Sequence, residues 1–166
     1  MATFSEFLSS LDPQKKGKQF EYFVKWFLIN DPEWKTQVDQ IWLWDDYPDR
    51  WGIDCGIDLV FKHKNSEIWA VQAKCYSLDY YITKSDVDKF LSESNRPSIH
   101  KRLLIATTDL IGPNAKAVCE NQELHIVGLG VDINNQPLQN LLKKNRDIRN
   151  VHCRQWLPQG RDPENR

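Results

Sequence analysis

Two adjacent segments carry side chains of the types that phosphodiester hydrolysis uses: Asp58 and, after thirteen intervening residues, Gln72 and Lys74. Ile57, Leu59 and Phe61 alternate with Asp58, Val60 and Lys62, and beyond the polar Lys64-Asn65-Ser66 a second run extends from Glu67 to Lys74. Alternation, a short polar break and renewed alternation make a β-hairpin pattern. A turn centred on Asn65 pairs residues whose numbers sum to 130, which sets Asp58 across from Gln72, with Lys74 on the same face as Gln72. A carboxylate oxygen of Asp58, the amide oxygen of Gln72 and the backbone carbonyl of Ala73 are hard oxygen donors suited to Mg²⁺, or to Mn²⁺ in its place. Lys74 would orient or help deprotonate the attacking water and screen charge building on the phosphate. The same residues also suit a plain cross-strand ion pair, Asp58 with Lys74, beside an exposed polar Gln72.

The elements around this hairpin follow from periodicity. Phe20, Phe23, Val24, Phe27 and Leu28 recur at helical spacing, so a helix is expected from residue 20 to Asn30-Asp31-Pro32, with Glu21 beside Leu28 at the edge of the apolar stripe. Strands are expected at 40–44, 57–63, 68–76 and 102–107. Before the last of these, Ser85 is the expected N-cap of a helix reaching Ser94, with Asp86 and Asp88 in its first turn. A helix is expected after Gly112-Pro113, then a strand at 125–131, a helix at 137–145 and a short strand at 151–156. This order describes an α/β fold with an antiparallel hairpin early and crossover connections later. There is no internal repeat.

The chain has 166 residues, 40% hydrophobic and 27% charged, enough for one globular domain that buries about 70% of its unfolded surface. The apolar stretch 126–131 is far short of the roughly 20 residues of a membrane helix, and no secretory signal opens the chain, so a soluble, cytoplasmic protein is expected. Cys55, Cys75, Cys119 and Cys153 form no C-x-x-C pair and read as reduced thiols. His63, His100, His125 and His152 are too dispersed to form a ligand pattern. Trp26, Trp34, Trp42, Trp44, Trp51 and Trp69 sit where core or docking roles are expected, rather than base stacking. Net charge is −1, which does not suggest a chain that captures nucleic acid unaided. The charge is unevenly placed: eight acidic residues against Lys35 and Arg50 between positions 31 and 58, and seven basic against three acidic from 139 onward.

Gly52-Ile-Asp54-Cys-Gly56-Ile-Asp58 followed by Gln72-Ala-Lys74 resembles the Asp…(Glu/Gln)-x-Lys signature of the PD-(D/E)xK nuclease superfamily. In particular it resembles the Mrr-like branch, in which Gln often replaces the acidic residue. Gly17-Lys-Gln-Phe20-Glu21 resembles the N-terminal helix of that branch, and Ile82-Thr-Lys-Ser-Asp-Val and Leu104-Ile-Ala-Thr-Thr-Asp resemble its later helix and strand, so the likeness runs from residue 17 to 109. It implies a restriction-endonuclease-like mixed central β-sheet flanked by helices, and Mg²⁺-dependent cleavage of DNA. It also implies that Glu21 joins Asp58, Gln72 and Lys74 as a catalytic residue, and joins Asp58, Gln72 and Ala73 at the metal.

The chain further resembles the N-terminal nuclease of single-polypeptide translocating restriction-modification enzymes, the Type ISP group. That likeness implies a nuclease domain at 1–156 and a linker at 157–166. The linker would lead towards a helicase-like translocase, a methyltransferase and a target-recognition domain of the same parent chain, with duplex DNA bound weakly by this module alone. Neither a G-x-x-x-x-G-K-[ST] loop nor a methyltransferase glycine motif occurs in these 166 residues. A non-catalytic docking or DNA-binding module on the same fold is the other reading, with the neutral Gln72 its best support. A nuclease working alone would bind DNA strongly, at odds with a pI of about 6.4.

Overall fold

The computed structural model describes residues 4–53 and 55–129. Four helices, α1 (Phe4–Ser10), α2 (Lys16–Asn30), α3 (Lys84–Glu93) and α4 (Pro113–Asn121), accompany five strands, β1 (Val38–Leu43), β2 (Leu59–His63), β3 (Ile68–Lys74), β4 (Lys101–Ala106) and β5 (Leu124–Gly128). The strands form one sheet in the order β1-β2-β3-β4-β5. β1, β2 and β3 are antiparallel, whereas β4 and β5 join parallel through crossovers made by α3 and α4. The sheet is thus mixed in the sense the sequence pattern required.

Period-two alternation divides the sheet into two apolar faces. Leu59, Phe61, Val71, Leu103 and Ile105 pack with Phe20, Phe23, Val24, Phe27 and Leu28 of α2, and α1 closes over them through Phe7 and Leu8. Val60, Ala70, Leu104 and Ala106 face the other way, against Val87 and Phe90 of α3, Ala115 and Cys119 of α4, and Trp44, Tyr47, Cys55 and Ile57 from the β1–β2 connection. Trp34, Trp44 and Trp69 are core residues, and Trp26, Trp42 and Trp51 pack at its margins.

The β2–β3 turn is centred as the sequence suggested. Leu59↔Val71, Val60↔Ala70, Phe61↔Trp69 and Lys62↔Ile68 all sum to 130. Ser66 takes the left-handed position (φ 73°) of a three-residue loop, and the Asn65 side chain accepts from the Glu67 N–H at 3.0 Å. α2 ends where expected, because the Asp31 carboxylate reaches forward to accept from the Glu33 and Trp34 N–H groups at 3.0 and 3.1 Å and Pro32 cannot continue the helix.

Other expectations are corrected. The N-cap of α3 is Thr83, not Ser85: its hydroxyl accepts from the Asp86 N–H while the Asp86 carboxylate accepts from the Thr83 N–H, a reciprocal box, whereas Ser85 lies inside the helix and the carboxylate three residues after it, Asp88, pairs with Lys84. The strand expected to run to residue 76 ends at Lys74, because the Thr107 hydroxyl takes over both the N–H and the carbonyl of Tyr76. α1 has too short an apolar pattern to have been foreseen. Gly128 lets β5 approach the loop after β4, since a Cβ there would lie 2.5 Å from Asp109 Cα. Asp54, the helix expected at 137–145, the strand at 151–156 and the segment 157–166 lie outside the described residues. Among the described residues no helix is long and apolar enough to cross a membrane.

Candidate active site

β2 begins one residue after Asp58, and that offset shapes the site. The Asp58 carbonyl accepts from Trp44 N–H at 2.9 Å and its N–H donates to the Val71 carbonyl at 3.0 Å, so the ladder closes at Leu59 and Asp58 is not the simple partner of Gln72 that the turn register implied. Released from the ladder, the Asp58 carboxylate takes the place of a missing backbone partner and accepts from the Ala73 N–H at 2.8 Å. It also faces Glu21 on α2 and Lys74 at the end of β3. Burial, and then the charge of Glu21, push the Asp58 carboxyl from its ordinary 3.8 up to about 7; the Ala73 N–H and the Lys74 ammonium offset only part of this.

Glu21 occupies the edge of α2 that its helical spacing indicated, with its side chain only 17% exposed. Lys18, one helical turn before it, places its Nζ 2.9 Å from Glu21 and 3.8 Å from Asp45, and Asp45 is in turn 3.6 Å from Arg50. Burial pulls the Lys18 ammonium down, but the Glu21 hydrogen bond and the charges of Glu21 and Asp45 outweigh it and leave its pKa raised. The sequence analysis missed this cation and its second partner. The i,i+3 spacing of Lys18 and Glu21 was the available signal for the first contact; Asp45 comes from the short 3-10 turn after β1 and had none.

Gln72 is not an exposed polar residue: it is 3% exposed. Its Nε2 donates to the Gly56 carbonyl at 3.0 Å, and Gly56 adopts a positive φ of 65° that glycine accommodates without strain. Its Oε1 is fully enclosed and has no hydrogen-bond partner. An orphaned buried amide oxygen costs about 1–3 kcal/mol, which makes it conspicuous beside a strained carboxylate.

The structure therefore brings Glu21, Asp58, the Ala73 backbone and Lys74 together at the open end of the hairpin, and sets Gln72 one residue before Ala73 in β3 with its Nε2 tied to Gly56. The described histidines fill structural places: His63 and His100 accept backbone N–H groups through Nδ1, and His125 packs on Trp69; His152 and Cys153 lie outside the described residues. Cys75 is half-buried, and burial pushes its thiol up, away from nucleophilic use.

Among the described residues no three His, Cys, Asp or Glu side chains converge as a ready-made metal cage. The donors present are the Asp58 carboxylate, whose proton affinity burial and Glu21 raise, the Glu21 carboxylate and one unpaired amide oxygen, all oxygen and net negative. That set fits a hard divalent cation that keeps several waters, and does not fit a soft metal.

The chain matches the restriction endonuclease family model Mrr_cat_2 over residues 29–147. It belongs to the Mrr-type restriction endonuclease family. The matched span contains Asp58, Gln72 and Lys74, while Glu21 lies before it. No curated protein matches the chain. Among solved structures, the ATP-dependent Type ISP restriction-modification enzyme LlaBIII bound to DNA is similar over 77% of this chain, at 27% identity and a TM-score of 0.65. The MspJI restriction endonuclease in complex with a 27-mer oligonucleotide is similar over 87% of this chain, at 14% identity and a TM-score of 0.50, a likeness of fold. This chain covers 8% of the LlaBIII chain and 36% of the MspJI chain. The mixed sheet with flanking helices is thus a restriction-endonuclease fold, and the family to which the chain belongs is one of restriction nucleases.

Proposed function

We propose that this chain is a Mg²⁺-dependent endonuclease module that hydrolyses DNA phosphodiester bonds and acts as the cleavage domain of a larger translocating restriction-modification enzyme. The observation that carries this reading is the convergence of Asp58 with Glu21 and Lys74 at the end of β2, with burial raising the Asp58 carboxyl to about 7. A carboxyl whose pKa is raised by burial and by a neighbouring carboxylate marks a functional site more often than a structural role, since a simple ion pair with Lys74 would lower it. Asp58, Glu21, the Gln72 amide oxygen and the Ala73 carbonyl would hold the ion. When bound, it supplies Lewis-acid polarisation of the scissile phosphate and lowers the pKa of a bound water. Lys74 orients the attacking water and neutralises charge that develops on the phosphoryl oxygens. The Ala73 N–H, by holding one Asp58 oxygen, aims the other into the site.

LlaBIII, similar over most of this chain, is ATP-dependent and of Type ISP. Its likeness supports a parent chain that supplies translocase, methyltransferase and target-recognition domains. A neutral module of net charge −1 suits such tethering, since the partners bring it to DNA.

The second reading, a non-catalytic docking or DNA-binding module, is favoured by one observation: the Gln72 amide is engaged as a structural tie to Gly56. A supercoiled-plasmid nicking assay with Mg²⁺, run on the parent enzyme with Lys74→Ala, separates the two. We expect a loss of at least about 10²-fold, the lower range for a general acid–base group, with DNA translocation intact. Cleavage by Lys74→Ala at the parental rate would remove Lys74 from the site and favour the docking module.

A further inference from the structure

Lys18 stands beside the carboxylates that would hold a divalent ion. Its Nζ lies 2.9 Å from Glu21 Oε2, and Glu21 adjoins Asp58, so the ammonium supplies positive charge to the carboxylate pair. It is also more exposed than its partner, 43% against 17% for Glu21, and it has a second carboxylate in reach, Asp45 at 3.8 Å. Asp45 is held by Arg50 at 3.6 Å, a spacing loose enough to leave room for a second cation. A divalent ion on Glu21 would sit about 2.1 Å from a ligand oxygen, and an ammonium within hydrogen-bond reach of the same carboxylate would be about 5 Å or less from it, in strong like-charge repulsion.

We propose that Lys18 is a placeholder cation: it occupies Glu21 in the metal-free protein and transfers to Asp45 when a divalent ion binds the Glu21–Asp58 pair. The inference rests on the metal-site reading above and adds the residue that competes with the metal. Lys18 is a positioning residue in this scheme, acting through Glu21. Its worth as a competitor is that of a partly exposed ion pair, up to about 1 kcal/mol or roughly fivefold in a binding constant.

The test is equilibrium binding of Mn²⁺ alone to the full chain, by titration calorimetry at fixed pH, with no DNA and no turnover. Lys18→Met should tighten Mn²⁺ roughly fivefold, because Glu21 is freed. Asp45→Asn should weaken it roughly threefold to fivefold, because Lys18 loses its alternative partner. The double variant separates a transfer from a general field. If Asp45 acts by receiving Lys18, Asp45→Asn has little effect once Lys18 is Met, so the double variant binds as Lys18→Met does. Equal and additive effects of Asp45→Asn in both backgrounds would overturn the proposal in favour of diffuse electrostatics. Failure of the parent chain to bind Mn²⁺, with Asp58→Asn indistinguishable from it, would overturn the metal-site reading itself. Mn²⁺ binding that is sensitive to Asp58→Asn but unchanged in Lys18→Met would overturn the placeholder alone.

Discussion

Asp58→Asn isolates the strain stored at the site. Asn has the size of Asp and keeps an oxygen that can accept from the Ala73 N–H, now 2.8 Å from the carboxylate, while it removes the charge that burial and Glu21 oppose. The folded carboxyl titrates at about 7 against an ordinary 3.8. Below about pH 4 the group is protonated in folded and unfolded chains alike and contributes nothing. Between about 4 and 7 the folded chain holds a proton that the unfolded chain has lost, so stability from this group falls as pH rises; above about 7 the penalty is constant. At 1.36 kcal/mol per pKa unit, the difference sets an upper bound of about 4 kcal/mol above neutrality. The carboxylate is only partly enclosed and an amide also resists burial, so the net gain for Asp58→Asn is about 1–2 kcal/mol at pH 8, or about 2–8 °C in Tm. At pH 5 the gain should be less than half of that. Thermal unfolding in metal-free buffer at the two pH values measures both. A variant no more stable than the parent at pH 8, or a gain unchanged at pH 5, would refute the reasoning that burial and Glu21 strain Asp58.

Gln72→Glu adds a third carboxylate and should tighten Mg²⁺ binding without necessarily raising the cleavage rate. It also sets an anionic oxygen against the Gly56 carbonyl where Nε2 now donates at 3.0 Å, so the metal-free protein should lose about 1–3 kcal/mol in urea unfolding. Thr83→Ala removes the reciprocal cap of α3 and should cost about 1 kcal/mol by the same measurement. Gly128→Ala places a Cβ 2.5 Å from the Asp109 backbone and should cost about 1–3 kcal/mol or more, whereas Gly17→Ala in α2 meets nothing within 4 Å and should gain up to about 1 kcal/mol. A Gly128→Ala chain as stable as the parent would show that the loop after β4 yields without cost.

The hairpin and α2 were legible because their signals are local. Alternation on both sides of Lys64-Asn65-Ser66 predicted the sum-to-130 register through Leu59, and i,i+3,i+4 spacing predicted both the buried face of α2 and the edge position of Glu21. Ser85 was the wrong cap because the sequence offers two such pairs, Thr83 with Asp86 and Ser85 with Asp88, and only the fold shows that the helix starts at Lys84 and that Asp88 is taken by Lys84. Asp58 was misplaced by one step because a turn register describes a ladder that continues, and here the strand bond to Val71 and the side-chain bond to Ala73 end it. The residue types of the site, and their placement on one hairpin and one helix edge, were therefore determined by the sequence alone. Tertiary structure decided the electrostatics: whether Asp58 meets Glu21, whether Lys18 reaches Asp45 as well as Glu21, and whether the Gln72 oxygen is enclosed. Each depends on how α2 rotates on the sheet and how the β1–β2 connection returns to Gly56, and no periodicity within one segment encodes a distance between two.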